Sequence, residues 1–291
     1  MRVFVTGASG WIGSAVVPEL IGAGHQVLGL ARSDASAAVI AAAGGEVLRG
    51  DLDNPDVLRA GAEAADGVIH LAFIHDFSRF ADSVQTDAQA IDAFAAALEG
   101  SGKPLVIASG TPAVPGRVAT ERDLAAPENP TPRGANATTV LGLASRGIRS
   151  SVVGLPRTVH GEGDHGFLAV LINIARERGV SGFVGDGSSR WPAVHVLDAA
   201  RLFRLALENA PAGTPLHAVG DEGVSTRDIA TIIGRHLNLP VESAQSETFG
   251  FLGPLLAIDQ PASAARTGDL LGWRPTQPGL LEDLDKGHYF G

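Results

Sequence analysis

A glycine-rich turn near the amino end constrains the fold of this chain more than any other feature. Gly7, Gly10 and Gly13 follow a short β-branched apolar run and precede an amphipathic pattern that begins at Ile12. That order predicts a strand, a tight turn and a helix. Glycines at these spacings permit an unusual backbone angle, the approach of a diphosphate and close packing of helix on strand, and the amides that open such a helix attract phosphate groups.

The turn therefore predicts a dinucleotide site. A glycine triplet alone is weak evidence, but this one stands between the strand and the helix that the interpretation requires. The residues expected to contact the cofactor here are Gly7, Ser9, Gly10, Trp11, Ile12 and Gly13.

Composition excludes several classes of function. The chain has 291 residues, 45% of them hydrophobic, a formal net charge of −10 and no cysteine. Disulfides, thiolate catalysis and zinc–sulfur sites are excluded, and without a basic run neither nucleic acid nor a membrane surface is an expected partner. The first strand starts at residue 2 and no apolar run reaches about 18 residues, so we expect a cytoplasmic protein.

Strands alternate with helical stretches along the first half of the chain. Residues 26–31, 46–49, 67–72, 105–109 and 151–155 have the pattern of buried strands, and a long helix is expected from Ser83 to Glu99. This alternation predicts an α/β fold, a Rossmann-type doubly wound parallel sheet with a smaller C-terminal substrate-binding domain. We expect residues 1–156 to form the dinucleotide-binding domain, residues 193–222 to return to it, and residues 157–192 and 223–291 to form the substrate-binding lobe.

The end of the second strand predicts which dinucleotide is bound. An acidic residue there holds the ribose hydroxyls of NAD(H), whereas a cation accommodates the 2′-phosphate of NADP(H). Here Arg32 and Ser33 follow the strand, which favours NADP(H); the alternative is that Arg32 is only a solvated loop residue. Asp51, with Leu52, follows the third strand, where the Asp51 carboxylate could bond the adenine amine or simply start a turn.

Five short motifs carry a resemblance to a known group of proteins. They are Thr6-Gly-x-x-Gly-x-x-Gly13, His70-Leu-Ala72, Ser109-Gly-Thr111, His195-Val-Leu-Asp198 and Leu271-Gly-Trp-Arg-Pro275. In this order, over nearly the whole chain, they resemble the extended short-chain dehydrogenase/reductase superfamily, which includes sugar-nucleotide epimerases, dehydratases and ketone reductases. The resemblance implies that backbone and side chains at the ends of the fourth, fifth and sixth strands face the nicotinamide. The residues so placed are Leu71, Ala72, Phe73, Ser109, Leu155, Pro156 and Thr158.

The active-site motif of that superfamily is absent. The resemblance implies a Tyr that moves a proton, a Lys four residues later and an orienting Ser or Thr, but the only tyrosine here is Tyr289 and the lysines are Lys103 and Lys286. Arg133 takes the Tyr position and Ala137 the Lys position, as in the atypical branch that keeps the glycine motif and loses the usual catalytic residues. Because a guanidinium has a pKa above about 12, it cannot act as a general acid or base, although it can stabilise a developing alkoxide.

Three residues are the candidate catalytic groups. Thr111 aligns with the orienting hydroxyl, or else serves the turn before Pro112. Arg133 polarises the substrate oxygen, or else forms an ion pair with Glu128 or Asp123. His75 delivers a proton directly or through water, because its unperturbed pKa lies near working pH, or else is an ordinary surface histidine.

The leading functional hypothesis is an NADPH-dependent reductase acting on a small apolar or aromatic ketone or aldehyde. Phe73, Phe77, Phe167 and Trp191 suggest aromatic walls for its pocket. No metal is expected, because His160 and His165 lack a supporting helix-borne ligand pair, and the resemblance leaves a homodimer open. The rivals are a non-catalytic NADP(H)-binding, redox-sensing protein and a sugar-nucleotide enzyme in which Arg190 holds a diphosphate.

Overall fold

A computed structural model describes residues 1–75, 79–125 and 131–291. The strands, numbered along the chain, are β1 (Arg2–Thr6), β2 (Gln26–Ala31), β3 (Glu46–Arg49), β4 (Gly67–His70), β5 (Pro104–Gly110), β6 (Arg149–Leu155), β7 (Thr158–His160), β8 (Ser181–Val184), β9 (Arg190–His195), β10 (Thr214–His217), β11 (Asp221–Ser225) and β12 (Val241–Ala244). The α-helices are α1 (Gly13–Gly22), α2 (Asp34–Ala42), α3 (Pro55–Glu63), α4 (Phe80–Leu98), α5 (Glu121–Ala125), α6 (Pro132–Gly142), α7 (Phe167–Arg178), α8 (Val196–Asn209), α9 (Thr226–Leu237), α10 (Gly253–Leu256), α11 (Ala265–Leu271) and α12 (Leu280–Asp285).

The larger sheet is a seven-stranded parallel sheet in the order β10-β6-β5-β4-β1-β2-β3. Alternate residues of β1 enter different apolar clusters: Val3 and Val5 pack with α1 and α8, and Phe4 packs with α3 and α4. Because helices cover both faces, these strands are apolar throughout instead of alternating. The strand order reverses between β1 and β4, which is where open α/β sheets bind ligands. The predicted Rossmann-type fold is confirmed.

Two smaller sheets follow, with the orders β11-β9-β7 and β12-β8. Leu168, Ile172, Trp191, Ile229 and Leu284 are among the residues of a third apolar core beneath them. Arg190, the candidate for holding a diphosphate, begins β9, which pairs with β7 and β11. That strand carries no strong sequence signal, since Pro192 stands inside it.

Two of the motifs that suggested a family serve to hold the fold together. The buried Asp198 carboxylate accepts hydrogen bonds from the Thr276 and Gln277 amides at 2.9–3.0 Å, and the Trp273 indole donates to the Asp198 carbonyl at 3.0 Å. Trp273 is 1% exposed and packs in the core beside α8. The Leu271 to Pro275 run, which the sequence placed in the substrate-binding lobe, thus anchors the C-terminal segment to α8 and the core of the larger sheet.

The start of α9 follows the sequence rule for a helix cap, whereas the end of the fourth strand differs from its prediction. Ser225 caps α9 by accepting a hydrogen bond from the Asp228 amide at 3.1 Å, as its capping-box pattern predicts. The fourth strand ends at His70, two residues earlier than expected, so Leu71 and Ala72 lie in the loop beyond it. Within the described part of the chain, no helix has the length and apolarity that a bilayer crossing requires.

Candidate active site at the carboxyl edge of the larger sheet

The glycine turn leaves no room for a side chain at Gly7 or Gly13. Gly7 has a φ of +69°, and a Cβ there would lie 2.7 Å from the Ala72 amide nitrogen. A Cβ on Gly13 would lie 2.0 Å from the Gly7 carbonyl oxygen, and the Gly10 amide donates to that same oxygen at 2.9 Å. No side chain caps α1. The turn therefore packs against the loop that follows β4, and the Trp11, Ile12 and Gly13 amides have no acceptor among the described residues, which fits a diphosphate.

Trp11 contributes to this turn in a way that the sequence did not indicate. Its indole nitrogen donates to the Val159 carbonyl at 2.8 Å, and its ring lies edge-on to His165 at 6.1 Å between centroids. The side chain thus ties the turn to β7 and the loop after it. Ser9 and Ile12 keep partial exposure at the turn, where the prediction placed them.

The end of β2 offers a cation that has no partner. Arg32 is exposed and makes no ion pair with any described residue. Ser33 accepts the Ser36 amide at 3.1 Å as the cap of α2, and the following acid, Asp34, pairs with Arg49. A negative charge that could repel a 2′-phosphate is therefore partly neutralised at this edge.

The adenine side is less specific. Asp51 accepts the Asp53 amide at 3.1 Å, which is the turn role that was the alternative for this residue. Leu52 is 8% exposed and packs in the core. This hydrogen bond from the Asp53 amide supports the turn role of Asp51. The second carboxylate oxygen of Asp51 is the one left for the adenine amine.

Four buried polar side chains form a continuous chain beneath the ends of β1 and β4. Thr6 Oγ1 accepts the Ala72 amide at 3.3 Å and lies 2.6 Å from His70 Nδ1; His70 Nε2 lies 3.2 Å from Asp87 Oδ1, and Asn136 Nδ2 donates to Asp87 Oδ2 at 2.7 Å. A carboxylate only accepts, so Nε2 of His70 donates to Asp87, and Nδ1 faces the Thr6 hydroxyl. We call these residues, Thr6, His70, Asp87 and Asn136, the Asp87 network.

Sequence reasoning did not find the Asp87 network, although one signal was available. Asp87 lies in the middle of α4 on the face that also carries Val84, Ile91 and Phe94, where an acid is unusual unless it is paired. Burial acts to raise the pKa of Asp87, but the hydrogen bonds from His70 and Asn136 and the nearby charge of Arg133 outweigh it and lower the pKa. The carboxylate is thus held in its charged form under the candidate site.

Arg133, at the start of α6, extends over the end of β5. Its Nη2 donates to the Ala108 carbonyl at 3.4 Å and its Cζ lies 4.0 Å from the centroid of the Phe73 ring. Burial lowers the pKa of the guanidinium, while the Asp87 carboxylate acts to raise it. The expected alternative of an ion pair with Asp123 was wrong, because Asp123 pairs with Arg117 and accepts from Thr120; Glu128 lies outside the described residues.

Thr111 begins the loop after β5 and is 6% exposed. Its amide donates to the Leu155 carbonyl at 2.9 Å and its carbonyl accepts from Gln260 Nε2 at 2.6 Å, so both sides of its peptide are fixed. Its hydroxyl has no partner among the described residues. The turn role expected as the alternative would require that hydroxyl to bond nearby backbone, and it does not.

The ends of β5 and β6 hold further unpaired polar atoms. Arg133 Nε and Thr158 Oγ1 are buried and, like Thr111 Oγ1, find no hydrogen-bond partner in residues 1–75, 79–125 and 131–291. We call Thr111, Arg133 and Thr158 the unpaired cluster. Ser109 and Pro156 are buried beside it and Leu155 is half-buried. Buried donors without acceptors are costly and mark where a ligand is expected.

His75 lies at the margin of this cluster. Its ring packs edge-on against Phe73 at 5.3 Å between centroids, and the residue keeps an exposed surface. Loss of solvent around the ring and then the charge of Arg133 lower the pKa of His75, while a hydrogen bond that the ring donates to the Phe73 backbone acts to raise it. His75 is therefore close enough to Arg133 to respond to its charge.

The predicted aromatic walls are only partly present. Phe73 lines the site through its contact with Arg133, and Phe77 lies outside the described residues. Trp191 was expected to line the pocket, but it is fully buried in the core of the smaller sheets, with Phe167 packed on it at 6.1 Å. This correction leaves Phe73 and half-buried Phe167 as the described candidates.

Two other charged groups are already engaged. Arg190, the candidate for holding a sugar-nucleotide diphosphate, forms a two-pronged ion pair with Asp259 at 2.8 and 3.0 Å. His160 bonds Asp283 at 3.0 Å and Asp164 accepts from Tyr289 and from the Gly166 amide. Among the described residues no group of three or more acidic, histidine or cysteine side chains is arranged to hold a metal.

A parallel sheet with a glycine turn at its switch point and polar groups at its carboxyl edge defines a dinucleotide-binding α/β protein. The chain belongs to the NAD dependent epimerase/dehydratase family, whose model matches residues 3–219. It is 46% identical over 296 residues to an uncharacterized protein of Schizosaccharomyces pombe, with 100% of each chain covered.

More distant similarities include proteins with named activities. A 4-hydroxy-2-methyl-3-oxo-4-farnesyl-3,4-dihydroquinoline-1-oxide ketoreductase of Stigmatella aurantiaca is 28% identical over 253 residues, which cover 80% of this chain and 72% of that one. The solved UDP-glucose 4-epimerase of Thermotoga maritima has a TM-score of 0.79 and 18% identity, with 100% of this chain and 98% of that one covered. The second similarity supports the fold.

Proposed function

We propose that this protein is an NADPH-dependent reductase of a small apolar or aromatic ketone or aldehyde. The observation that carries the proposal is the unpaired cluster: buried donors without acceptors stand at the carboxyl edge of the sheet, beside a turn shaped for a dinucleotide. A carbonyl oxygen is an acceptor that such donors fit. That a named ketoreductase is among the relatives supports the same class of reaction.

Each residue of the site has a distinct role in this proposal. Bound NADPH supplies a hydride to the carbonyl carbon. The Thr111 hydroxyl and the Arg133 guanidinium donate hydrogen bonds to the carbonyl oxygen and stabilise the negative charge that develops there. His75, or a water molecule beside it, returns the proton. Arg133 stays charged throughout, so this atypical member of the family separates oxygen binding from proton transfer.

The other parts of the chain have supporting roles. We propose that the ends of β4, β5 and β6 enclose the nicotinamide, through Leu71, Ala72, Ser109, Leu155 and Pro156. The smaller sheets and their helices would cover the substrate. The Asp87 network holds the loop after β4 and balances the charge of Arg133.

The preference for NADPH rests on Arg32. An exposed guanidinium without a partner at the end of β2 can bond a 2′-phosphate. We expect Arg32→Ala to weaken NADPH binding by roughly 10-fold while leaving NADH binding unchanged; Arg59→Ala, an exposed arginine of α3, is the control. Titration by intrinsic fluorescence measures both dissociation constants, and a wild-type preference for NADH would contradict the assignment.

The reductase activity is tested by NADPH oxidation across a panel of aromatic and aliphatic ketones and aldehydes. We expect turnover of at least one class, and loss of that turnover in a Thr111→Val, Arg133→Met double variant that still binds NADPH. Tight NADPH binding without turnover of any compound would instead favour the non-catalytic, redox-sensing protein. A rise in melting temperature with UDP-sugars would favour a sugar-nucleotide enzyme, although Arg190 would first have to leave Asp259.

A further inference from the structure

Arg157 is a cation in the candidate site whose charge is balanced by no acid among the described residues. It lies between β6 and β7, directly after Pro156 and before Thr158 of the unpaired cluster. Its Nε donates to Gln260 Oε1 at 2.7 Å and its Nη1 donates to the Leu255 carbonyl at 2.6 Å. Its Cζ lies 5.6 Å from the centroid of the Trp191 ring. Three contacts thus fix the plane of the guanidinium.

These partners are all neutral. No carboxylate among the described residues lies within ion-pair distance of Arg157; the neighbouring acid, Asp259, is already paired with Arg190. Burial lowers the pKa of Arg157 to about 10. A desolvated cation without a counter-ion is destabilising, so retaining one at a ligand site indicates that its partner comes with the ligand.

One edge of the guanidinium remains available for that partner. Among the described residues, Nη2 of Arg157 has no hydrogen-bond acceptor, and unlike the atoms of the unpaired cluster it is not sealed from solvent. Its two N–H groups can bond a carboxylate or a phosphate, the oxyanions that arginine recognises best.

The same contacts place Arg157 close to the proposed chemistry. The Gln260 amide accepts from Arg157 Nε and donates to the Thr111 carbonyl at 2.6 Å, so a single amide group separates the guanidinium from the Thr111 peptide. An anion on Arg157 and a carbonyl oxygen on the Thr111 hydroxyl would therefore belong to one small molecule. Arg133 on the other side adds a second positive charge.

We propose that Arg157 binds an anionic group, a carboxylate or a phosphate, of the carbonyl substrate, which narrows the proposed substrates to aromatic or otherwise largely apolar carbonyl compounds that also carry one acidic group. This rests on the proposed reductase function, because it assigns a second binding point to the same substrate. The protein carries a net charge of −10, so a half-buried cation without an acidic partner among the described residues is a local feature and not a reflection of overall composition.

The test uses three non-reacting probes that share a phenyl ring: benzoate, phenyl phosphate and neutral benzamide. Each is titrated by calorimetry into the full-length protein saturated with NADP⁺. We expect benzoate or phenyl phosphate to bind at least about 10-fold tighter than benzamide, and whichever anion binds tighter identifies the class. Arg157→Gln should remove the preference and Arg157→Lys should keep part of it, since the charge remains but the planar fork is lost.

Arg227→Gln is the matched control. Its guanidinium also stacks on an aromatic ring, that of Phe183 at 4.9 Å, but it lies on α9 away from the site, so the anion preference should be unchanged. Equal binding of benzamide and both anions, no binding of either anion at millimolar concentration, or an anion preference that survives Arg157→Gln would overturn the proposal.

Activity distinguishes this proposal from the reductase proposal. Benzoylformate and its methyl ester present the same ketone with and without a carboxylate, and NADPH oxidation is measured with each. If anion binding depends on Arg157 but neither compound causes NADPH oxidation, the anion-site proposal stands and the reductase proposal is wrong. Equal oxidation with both compounds, unaffected by Arg157→Gln, would retain the reductase and reject the anion site.

Discussion

Two buried polar regions lie at the same edge of the larger sheet and differ in one respect. In the Asp87 network every side chain has a partner, from the Ala72 amide through Thr6 and His70 to Asp87 and Asn136. In the unpaired cluster, one strand further along, Thr111, Arg133 and Thr158 each keep a buried atom without one. A complete network stabilises the fold, whereas an incomplete one awaits a ligand. The Asp87 network therefore stabilises the site, whereas the unpaired cluster is the set of residues expected to contact a ligand.

The largest expected effect is on the complete network. Asp87→Ala leaves the His70 ring buried without its acceptor, removes one of the two acceptors of Asn136 Nδ2 and removes a carboxylate whose charge acts on Arg133, so we expect the free energy of unfolding to fall by about 3 kcal/mol. Urea denaturation at pH 7 measures it. Asp92→Ala, on the exposed face of the same helix, should change stability by less than about 0.5 kcal/mol. Similar stabilities for the two variants would show that the network is not structural.

The stability that Asp87 confers should also depend on pH. Its pKa is lowered in the folded protein, so its contribution is complete above the pKa of an unfolded aspartate and is lost as the pH falls through the lower, folded value. The difference in stability between the wild type and Asp87→Ala should therefore shrink in acid and stay constant near neutrality.

Arg133 should show the next largest effect, on catalysis. Removal of a donor to a developing oxyanion typically costs about 100-fold in rate, so we expect Arg133→Met to lower kcat/KM for carbonyl reduction by that factor. Arg133→Lys should recover part of it. Arg146→Met, which breaks the surface pair with Glu99, is the control and should keep full activity. Undiminished turnover in Arg133→Met would assign the guanidinium to folding alone.

A pair of identical substitutions compares the two regions directly. Thr6→Val removes a hydroxyl that bonds His70 and the Ala72 amide, so we expect a loss of about 2 kcal/mol in stability. Thr111→Val removes a hydroxyl without a partner, so stability should be unchanged or slightly higher, while kcat/KM falls by roughly 10-fold. Thermal denaturation and NADPH oxidation measure the two effects; equal destabilisation by both variants would remove the distinction between the regions.

Sequence reasoning reached the fold and the cofactor turn because both follow local rules. The glycine spacing, the strand lengths and the cap at Ser225 are determined by neighbours within a few residues, and β2 has the predicted bounds. Thr111 and Arg133 came from the family resemblance and His75 from its position after the fourth strand, and the structure places Arg133 beside Phe73 and close enough to His75 for its charge to act there.

What the sequence did not reveal depends on pairs that are distant along the chain. Asp87 meets His70 across 17 residues, and Gln260 meets Thr111 across 149. Trp191 was misassigned to a pocket wall because aromatic character does not show which side of a strand a ring occupies. Arg157 attracted no attention because its significance lies in the absence of an acid, which only the assembled fold displays.

The smallest expected effect concerns His75, at the border of the unpaired cluster. Because the protonated imidazole is the donor, kcat/KM for reduction should rise as the pH falls through the pKa of His75, and His75→Ala should flatten the profile. Burial and the charge of Arg133 both lower that pKa, so in Arg133→Met the remaining activity should rise at a higher pH than in the wild type. His236→Ala, which breaks a surface pair with Asp285, should leave the profile in place. A wild-type profile that is already flat would assign the proton to water and leave His75 outside the site.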